Sequence, residues 1–460
     1  MGGGVIQLLA WGSQNTHLMG NPSLTFFKKV FKTHANFAME SISVSLNRTD
    51  ANIFEPTIIK AKLPRNGDLI SQVYLVFELP PVVSDSFTRF RWLPNVGEAI
   101  IANITLSIGN VIVDKQCGEY MNIYNNVTLP SFRRDMYNKM VGNISALTNP
   151  FKQQILDQVY QDSAIRITKI YPKQGDASNP TLPAHKCFVP LQFYFNKNFS
   201  SALPIVALQY MDVEITIELR PVNEIFQLFS YPKGSNVGEY RAPNTDNPVH
   251  HIKNYVSNEV KTYIRSDQIM DLNARLEVNY VFLDKTERDV FINKPLEYII
   301  DQCTRVDHYK LSEFNVIDVK LQNPVKELYW VYRRSDAVDT NSWFDFLDKD
   351  RNIMVSTRFM FNGIDRIEDK EPEYFNYLIP FQHHQGDPAE GIYCYPFALH
   401  PDDGLTQPSG SCNFSRIDKF QFVTRLKKPD GDYYYDIILF ASSYNIIKIS
   451  GGMASIYYTL

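Results

Sequence analysis

The stretch "VEITIELR" at residues 213–220 decides the fold class. Its apolar residues alternate strictly with polar ones: Val213, Ile215, Ile217 and Leu219 against Glu214, Thr216, Glu218 and Arg220. Successive side chains of a β-strand point to opposite faces, so this alternation puts every apolar group on one face. A helical period of 3.6 residues would scatter the same groups around the axis. The stretch therefore predicts a strand in a sheet that is buried on one side.

The same period of two recurs on both sides of this stretch. It is present at 41–47 and again at 276–282, where Leu276, Val278, Tyr280 and Phe282 occupy every second position. Residues 104–108 continue it, and Gly109-Asn110 predicts a tight hairpin with positive φ at both positions before 111–113 returns. Helical signals are few and short, at 131–142, 150–162 and 285–293. We therefore expect an all-β, antiparallel protein with short helical insertions in its loops.

The length of 460 residues exceeds what one hydrophobic core usually supports, which predicts two domains. Residues 221–248 are rich in Pro, Gly, Asn and Ser and directly follow the strand at 213–220. Such composition is typical of a linker or loop between domains. The sequence thus predicts a first domain ending at residue 220 and a second domain over 249–460.

The net charge of −4 gives no bulk positive field for phosphate backbones, so we expect no direct contact with nucleic acid. A short basic and aromatic segment, Phe26 to His34, is interpreted as a contact region of a terminal arm. The five cysteines are widely separated, without the paired spacing of a zinc site or a disulfide framework, which favours reduced thiols. No apolar run is long enough to span a bilayer, so we expect no membrane insertion.

Catalytic and cofactor motifs are absent from the sequence. It contains no phosphate-binding Gly-x-x-x-x-Gly-Lys loop, no Gly-x-Ser-x-Gly elbow and no His-Glu-x-x-His pair. Histidines cluster only at 250–251 and 383–384, and neighbouring residues of a strand point to opposite faces, which disfavours joint binding of one metal. The acidic pairs at 368–369 and 402–403 are interpreted as solvated carboxylates. We expect no enzymatic activity, no catalytic residue, no cofactor and no metal site.

The N-terminal run resembles a known family. Residues 2–41, "GGGVIQLLAWGSQNTHLMGNPSLTFFKKVFKTHANFAMES", are similar to the opening arm of the major capsid proteins of nucleocytoplasmic large DNA viruses, the group of phycodnaviruses, iridoviruses and marseilleviruses. The centre of this match is Gly20-Asn21-Pro22, followed by Phe26 and Phe27. Further similar segments lie in order along the chain, among them "YVFLDKTERDVF" (280–291), "NPVKELYWV" (323–331) and "GIYCYPFALHP" (391–401). The most specific one in the tail is "QPSGSCNFSRID" (407–418), with Asn413, Phe414, Ser415, Arg416, Ile417 and Asp418.

This resemblance implies two consecutive eight-stranded jelly-roll sandwiches, an N-terminal arm over residues 1–26, and a first jelly roll over 27–220. It further implies a homotrimeric, pseudo-hexagonal capsomer that tiles the outer shell of an icosahedral virion assembled in the host cytoplasm. Neighbouring capsomers, and minor capsid proteins beneath the shell that contact the arm, would be the partners. The residues of the two signature segments are then structural rather than catalytic.

Two other functions stay open on the sequence alone. One is a minor or vertex capsid protein with a single jelly roll, which the length and the similar segments in both halves disfavour. The other is a jelly-roll protein that binds or processes glycans, since sandwiches also carry such sites. The second would need His and carboxylate side chains converging on one sheet face, which sequence spacing does not reveal.

Overall fold

The computed structural model describes residues 2–28, 31–84, 89–150, 154–161, 164–170, 180–230, 238–257, 262–402 and 407–458. The chain divides into two compact units, Met1–Phe37 and Ala38–Leu460. The first unit carries helix α1 (Gly3–Leu9), a 3₁₀ turn (Ser13–Asn15) and helix α2 (Thr16–Met19), none of which buries a side chain. The arm expected over 1–26 is thus part of a unit that extends to Phe37.

The first half of the larger unit forms a sandwich of two four-stranded sheets. Its strands are β1 (Phe37–Ser45), β2 (Thr57–Lys62), β3 (Leu69–Leu79), β4 (Ile101–Ile108), β5 (Val111–Gln116), β6 (His185–Pro190), β7 (Val213–Leu219) and β8 (Arg275–Leu283). One sheet has the order β1-β8-β3-β6 and the other β2-β7-β4-β5. All of the pairings given for these strands are antiparallel.

The second half forms another sandwich. Its strands are β9 (Leu296–Leu311), β10 (Phe314–Val319), β11 (Pro324–Arg334), β12 (Met354–Phe361), β13 (Ile364–Lys370), β14 (Ile392–Pro396), β15 (Phe420–Leu426) and β16 (Tyr435–Ser450). The sheets have the orders β9-β16-β11-β14 and β10-β15-β12-β13. Numbered within its own sandwich, each half has the same two sheets, 1-8-3-6 and 2-7-4-5. This is the jelly-roll arrangement, so the predicted all-β fold of two consecutive eight-stranded jelly rolls is confirmed.

Short elements fill the connections. The helices are α3 (Val96–Ala99), α4 (Gly118–Thr128), α5 (Ser131–Met140), α6 (Ser145–Thr148), α7 (Tyr194–Lys197), α8 (Lys285–Asn293) and α9 (Ile379–His383). The 3₁₀ turns are Phe199–Ser201, Ile205–Ala207, Val222–Glu224, Pro248–His250, Ile252–Asn254, Ser335–Thr340 and Phe414–Arg416, with a π-helical turn at Tyr374–Leu378. The minor strands are Asp50–Asn52, Phe90–Trp92, Gln154–Gln161, Ala164–Ile170, Phe226–Ser230, Glu239–Arg241, Ile264–Ser266, Ile269–Asp271, Leu347–Asp348, Arg351–Asn352, Cys412–Asn413 and Met453–Ile456. No helix in the described part of the chain has the length and hydropathy that a membrane crossing requires.

The deciding stretch at 213–220 is a strand as predicted. β7 lies between β2 and β4, and its residues alternate between buried and half-buried. The β4–β5 hairpin is also present, although only Gly109 of its turn has positive φ, at 61°. Short helices occupy Ser131–Met140 and Lys285–Asn293, as the signals at 131–142 and 285–293 predict.

The prediction of a helix at 150–162 is wrong. Gln154–Gln161 is a strand, paired with Ala164–Ile170 in an antiparallel hairpin. The partner strand has the sequence "AIRITKI", in which Ile165 and Ile167 alternate with polar residues. Such a neighbour favours the strand pairing, whereas a short isolated helix is only marginally stable because its first turn is costly to form.

The end of the first sandwich differs from the expected linker at 221–248. β8, at 275–283, pairs with β3 from Arg275 opposite Val76 to Val281 opposite Leu69, so it is the eighth strand of the first jelly roll. Within 221–248, Phe226–Ser230 also pairs with Phe90–Trp92 of the first half. The polar segment at 221–248 is therefore part of a long connection between β7 and β8, and it is not a linker between the two sandwiches.

Candidate functional site: the junction between the two sandwiches

The two sandwiches share side chains across their junction. Helix α4 follows β5 of the first sandwich, yet Tyr120, Ile123 and Val127 pack in the aromatic core of the second. In the other direction, Ile300 of β9 and Ile447 of β16 pack in the core of the first. Each core is thus completed by residues from the other half, which disfavours bending between the two.

A buried carboxylate, Glu119 of α4, lies at the centre of the first ionic cluster. Its Oε1 is 2.6 Å from Nη2 of Arg220, which follows β7, and 3.9 Å from Nη1 of Arg333 in β11, while its Oε2 is 3.6 Å from Nη1 of Arg305 in β9. Burial alone raises the pKa of Glu119, but the guanidinium groups of Arg220 and Arg305 more than offset it and lower that pKa below its ordinary value. The cluster joins one arginine of the first sandwich and two of the second to a single carboxylate.

A second cluster is centred on Asp301 of β9. Its Oδ2 accepts hydrogen bonds from Nζ of Lys326 in β11 at 2.6 Å and from Nζ of Lys197 in α7 at 3.1 Å. All three side chains are at most 6% exposed. Burial opposes the charge of Asp301, yet the two ammonium groups lower its pKa, and Asp301 in turn raises the pKa of Lys326. When such charges are removed from water, the loss of one of them leaves the others buried without compensation and destabilises the folded protein.

Hydrogen bonds to β5 complete the junction. Asp114 Oδ1 accepts from the backbone N–H of Cys303 at 3.0 Å, and Gln302 Nε2 donates to the carbonyl of Val113 at 2.6 Å. Gln116 Nε2 donates to the other carboxylate oxygen of Asp114 at 2.6 Å. Burial raises the pKa of Asp114 to about 6, well above its ordinary value of 3.8.

The chemistry of this junction is structural. The thiols of Cys117 and Cys303 lie beside it, but burial raises the pKa of both, and that of Cys117 reaches about 12. A thiol in that environment stays protonated at neutral pH and is a poor nucleophile. The charged groups are paired with one another, so the arrangement fixes the angle between the sandwiches rather than presenting reactive atoms.

The N-terminal signature residues lie in the unit Met1–Phe37. The backbone N–H of Gly20 donates to the carbonyl of Thr16 at the end of α2, and Asn21 has a positive φ of 49°. Pro22 follows outside any helix or strand. Phe26 and Phe27 are 90% and 99% exposed.

The tail signature forms a corner at the start of β11. Asn413 pairs with Pro324, and its side-chain oxygen accepts from the backbone N–H of Ser415 at 3.1 Å, which caps a 3₁₀ turn. Ser415 Oγ accepts from the buried backbone N–H of Asn323 at 2.9 Å. Phe414 is buried against three aromatic rings, and Ile417 packs at the edge of the same core. Arg416 and Asp418 are exposed. The role of these residues as a functional signature stays a prediction.

The two histidines of the pair at 383–384 have different surroundings. His383 and His384 point to different partners, Leu399 O at 3.0 Å and Asp402 Oδ1 at 2.9 Å. His384 also lies beside Glu327 and Cys394, and one nitrogen, oxygen or sulfur atom of each of these three residues lies within 4.8 Å of the others. Their separation in sequence gave no signal for this cluster, which only the pairing of β11 with β14 reveals.

Family models match most of the chain in two consecutive parts. Residues 25–284 match the model described as "major capsid protein N-terminus", and residues 287–455 match "large eukaryotic DNA virus major capsid protein". The chain belongs to this family of viral major capsid proteins. The change from one model to the next falls just after β8, where the strand pairing also ends the first sandwich.

Individual relatives and solved structures are consistent with this family assignment. The chain is 28% identical to the major capsid protein of Phaeocystis pouchetii virus over 556 aligned residues that cover 100% of both sequences. It is also similar to the capsid chain of a quasi-atomic model of the PBCV-1 virus capsid, with a TM-score of 0.67, 22% identity, and coverage of 95% of this chain and 100% of that chain. The Faustovirus major capsid protein gives a TM-score of 0.68 at 15% identity over 93% of each chain. As a major capsid protein, the chain is a structural component of the virion shell.

Proposed function

We propose that three copies of this chain form a closed homotrimer whose six sandwiches give a pseudo-hexagonal capsomer, and that these capsomers tile the outer shell of a large icosahedral double-stranded DNA virus. The observation that carries the proposal is the repetition of one strand order in the two halves of a single compact unit. Three copies of a subunit with two similar lobes present six similar lobes around a threefold axis. A rotation that closes on itself yields a ring rather than a filament.

The junction supports this arrangement because a six-lobed outline requires a fixed angle between the two lobes of each copy. Interleaved cores and the buried clusters at Glu119 and Asp301 oppose hinge motion there. We propose limits for the lobes that follow the strand pairing: a first jelly roll ending at Leu283 and a second that begins at β9.

Exposed apolar side chains support contacts between copies. Phe132 and Met136 lie one turn apart on α5, which buries none of its residues, and Phe381 of α9 is 87% exposed. Neighbouring exposed apolar groups of this kind are typical of interaction surfaces. We propose that such surfaces hold the trimer together and join it to neighbouring capsomers.

The N-terminal unit supports a second kind of contact. Its apolar side chains, including Leu18, Phe26 and Phe27, are exposed. We propose that this arm reaches minor capsid proteins beneath the shell.

All five cysteines are free, which suits assembly in the reducing host cytoplasm. We propose no enzymatic activity, no membrane insertion and no direct contact with nucleic acid.

The mass of the purified protein in solution tests the proposal. Sedimentation at several concentrations should give about 160 kDa, three times the chain mass of 53.1 kDa. A stable monomer or dimer at micromolar concentration would refute the trimer. A glycan-binding or glycosidase screen on the same sample addresses the other class of function, and robust turnover would overturn the structural role.

A further inference from the structure

A buried group of metal-binding side chains lies in the second sandwich, away from the junction. Glu327 is in β11, Cys394 is in the neighbouring strand β14, and His384 follows helix α9. In the antiparallel register Glu327 lies opposite Pro396 and Tyr329 opposite Cys394. Directly paired residues point to the same face, so Glu327 and Cys394 are diagonal neighbours on one face, with His384 covering them.

The orientation of the His384 ring is typical of a metal ligand. Its Nδ1 is 2.9 Å from Oδ1 of Asp402, and its Nε2 faces Glu327 Oε1 at 2.6 Å. A carboxylate that accepts the Nδ1 proton leaves the Nε2 lone pair free for a metal, and ligating histidines commonly have such a partner. Glu327 is held in the same way, since Tyr329 Oη donates to its second oxygen, Oε2, at 2.6 Å.

The contact between His384 and Glu327 is not a well-formed hydrogen bond. Both side chains are fully buried, yet Nε2 and Oε1 each lack a hydrogen-bond partner of acceptable geometry despite their short separation. These two atoms and the sulfur of Cys394 all lie within 4.8 Å of one another, so a single cation at the position between them would contact all three. A buried polar atom left without a partner costs about 1–3 kcal/mol, so an occupant of that position is favoured.

We propose that Glu327 Oε1, His384 Nε2 and Cys394 Sγ bind one zinc-like divalent cation, with Asp402 holding the imidazole. An oxygen, a nitrogen and a sulfur ligand suit Zn²⁺, which takes thiolate, imidazole and carboxylate in tetrahedral geometry. Bond lengths of about 2.0–2.2 Å to nitrogen and oxygen require these two atoms to move apart by about 0.7 Å on binding. Glu327 and Cys394 belong to the sheet and His384 to the helical insertion, so the ion would fasten the insertion to the sheet.

Without an ion, the imidazole of His384 is protonated and lies between the carboxylates of Glu327 and Asp402. The two states differ in composition and in spectrum. The ion requires the Cys394 thiolate and displaces protons, whereas the imidazolium state keeps Cys394 as a thiol.

Metal analysis of the full-length protein distinguishes these states. Protein prepared with zinc and dialysed against metal-free buffer should retain one zinc per chain by mass spectrometry of the metal. Replacing the zinc by Co²⁺ should give the absorption band of a cobalt–thiolate bond. Cys394→Ser should abolish that band and weaken zinc binding at least tenfold. Cys412→Ser is the matched control, because Cys412 is also in the second sandwich and pairs beside β11 but lies outside the cluster.

The cobalt spectrum of the unmutated protein keeps the test valid even if Cys394→Ser fails to fold. A protein without stoichiometric zinc, a cobalt complex without a thiolate band, or equal loss of zinc in both cysteine variants would overturn the proposal in favour of the imidazolium state.

Discussion

The substitution Asp301→Asn tests the ionic junction most sharply. It keeps the shape of the side chain and removes one negative charge that Lys197 and Lys326 share. Both lysines are at most 6% exposed, so neither ammonium group can recover its hydration in the folded protein. Two cations from two sandwiches then face each other at the junction without an anion.

The expected cost follows from the burial of this pair. Breaking a buried ion pair by removing one partner typically costs about 3–5 kcal/mol, because the other charge stays buried and uncompensated. In the variant, burial is no longer opposed by Asp301 and lowers the pKa of Lys326. A folded-state pKa below that of the unfolded chain makes stability rise with pH as the lysine loses its proton. The loss of stability in Asp301→Asn should therefore shrink between pH 7 and pH 9.

Urea unfolding at fixed protein concentration measures this effect, since assembly makes the apparent stability depend on concentration. Glu297→Gln is the matched control. Glu297 lies on the same strand, β9, and pairs with Lys448 at 2.9 Å, but both side chains are about half exposed. Such a surface pair contributes about 0–1 kcal/mol. A loss in Asp301→Asn no larger than in Glu297→Gln would refute the role of the buried cluster.

Three further predictions concern other parts of the molecule. The pKa of Asp114 is raised from 3.8 to about 6, so its contribution to stability is favourable at low pH and is lost as the pH rises through that value. The free energy of unfolding of the native protein minus that of Asp114→Asn should therefore fall by about 2 kcal/mol between pH 4 and pH 7, and a constant difference in urea titrations would contradict this. Ser415→Ala removes the acceptor of the Asn323 backbone N–H and should cost about 1 kcal/mol in the same assay. The exposed Asp418→Asn should cost less than about 0.5 kcal/mol, and equal effects would argue against the corner. Deletion of residues 2–20 should leave the trimer intact in sedimentation, because α1 and α2 bury no side chain. The same deletion should impair the assembly of shells seen by electron microscopy. Loss of the trimer would contradict a role of the arm that is confined to shell assembly.

Several strands of the first sandwich could be predicted from the sequence because alternation is a local property. β7 and β8 were both recognisable from their apolar and polar residues, and both are strands. The partner of a strand is not encoded locally. β8 pairs with β3 across a separation of about 200 residues, so the excursion after β7 resembled a linker between domains. The repeated strand order of the two sandwiches is likewise visible only in the pairing.

The junction was not predictable for a related reason. Glu119, Asp301 and Lys326 are charged residues whose ordinary place is the surface. Only the packing of α4 against the second sandwich, and of β9 against α7, buries them. The cluster of Glu327, His384 and Cys394 follows the same logic, since strand register rather than sequence spacing brings its members together. The signature at 407–418 was recognised by resemblance, and its geometry adds the cap and the buried hydrogen bond that hold it.

Electron microscopy of the purified protein tests the central claim most directly. Class averages viewed along the symmetry axis should show threefold particles with six lobes of similar size, spaced in a nearly hexagonal outline, because each chain has two jelly rolls whose cores share side chains across their junction. Particles with three lobes, with twofold symmetry, or with two lobes that vary in their mutual angle would contradict that claim.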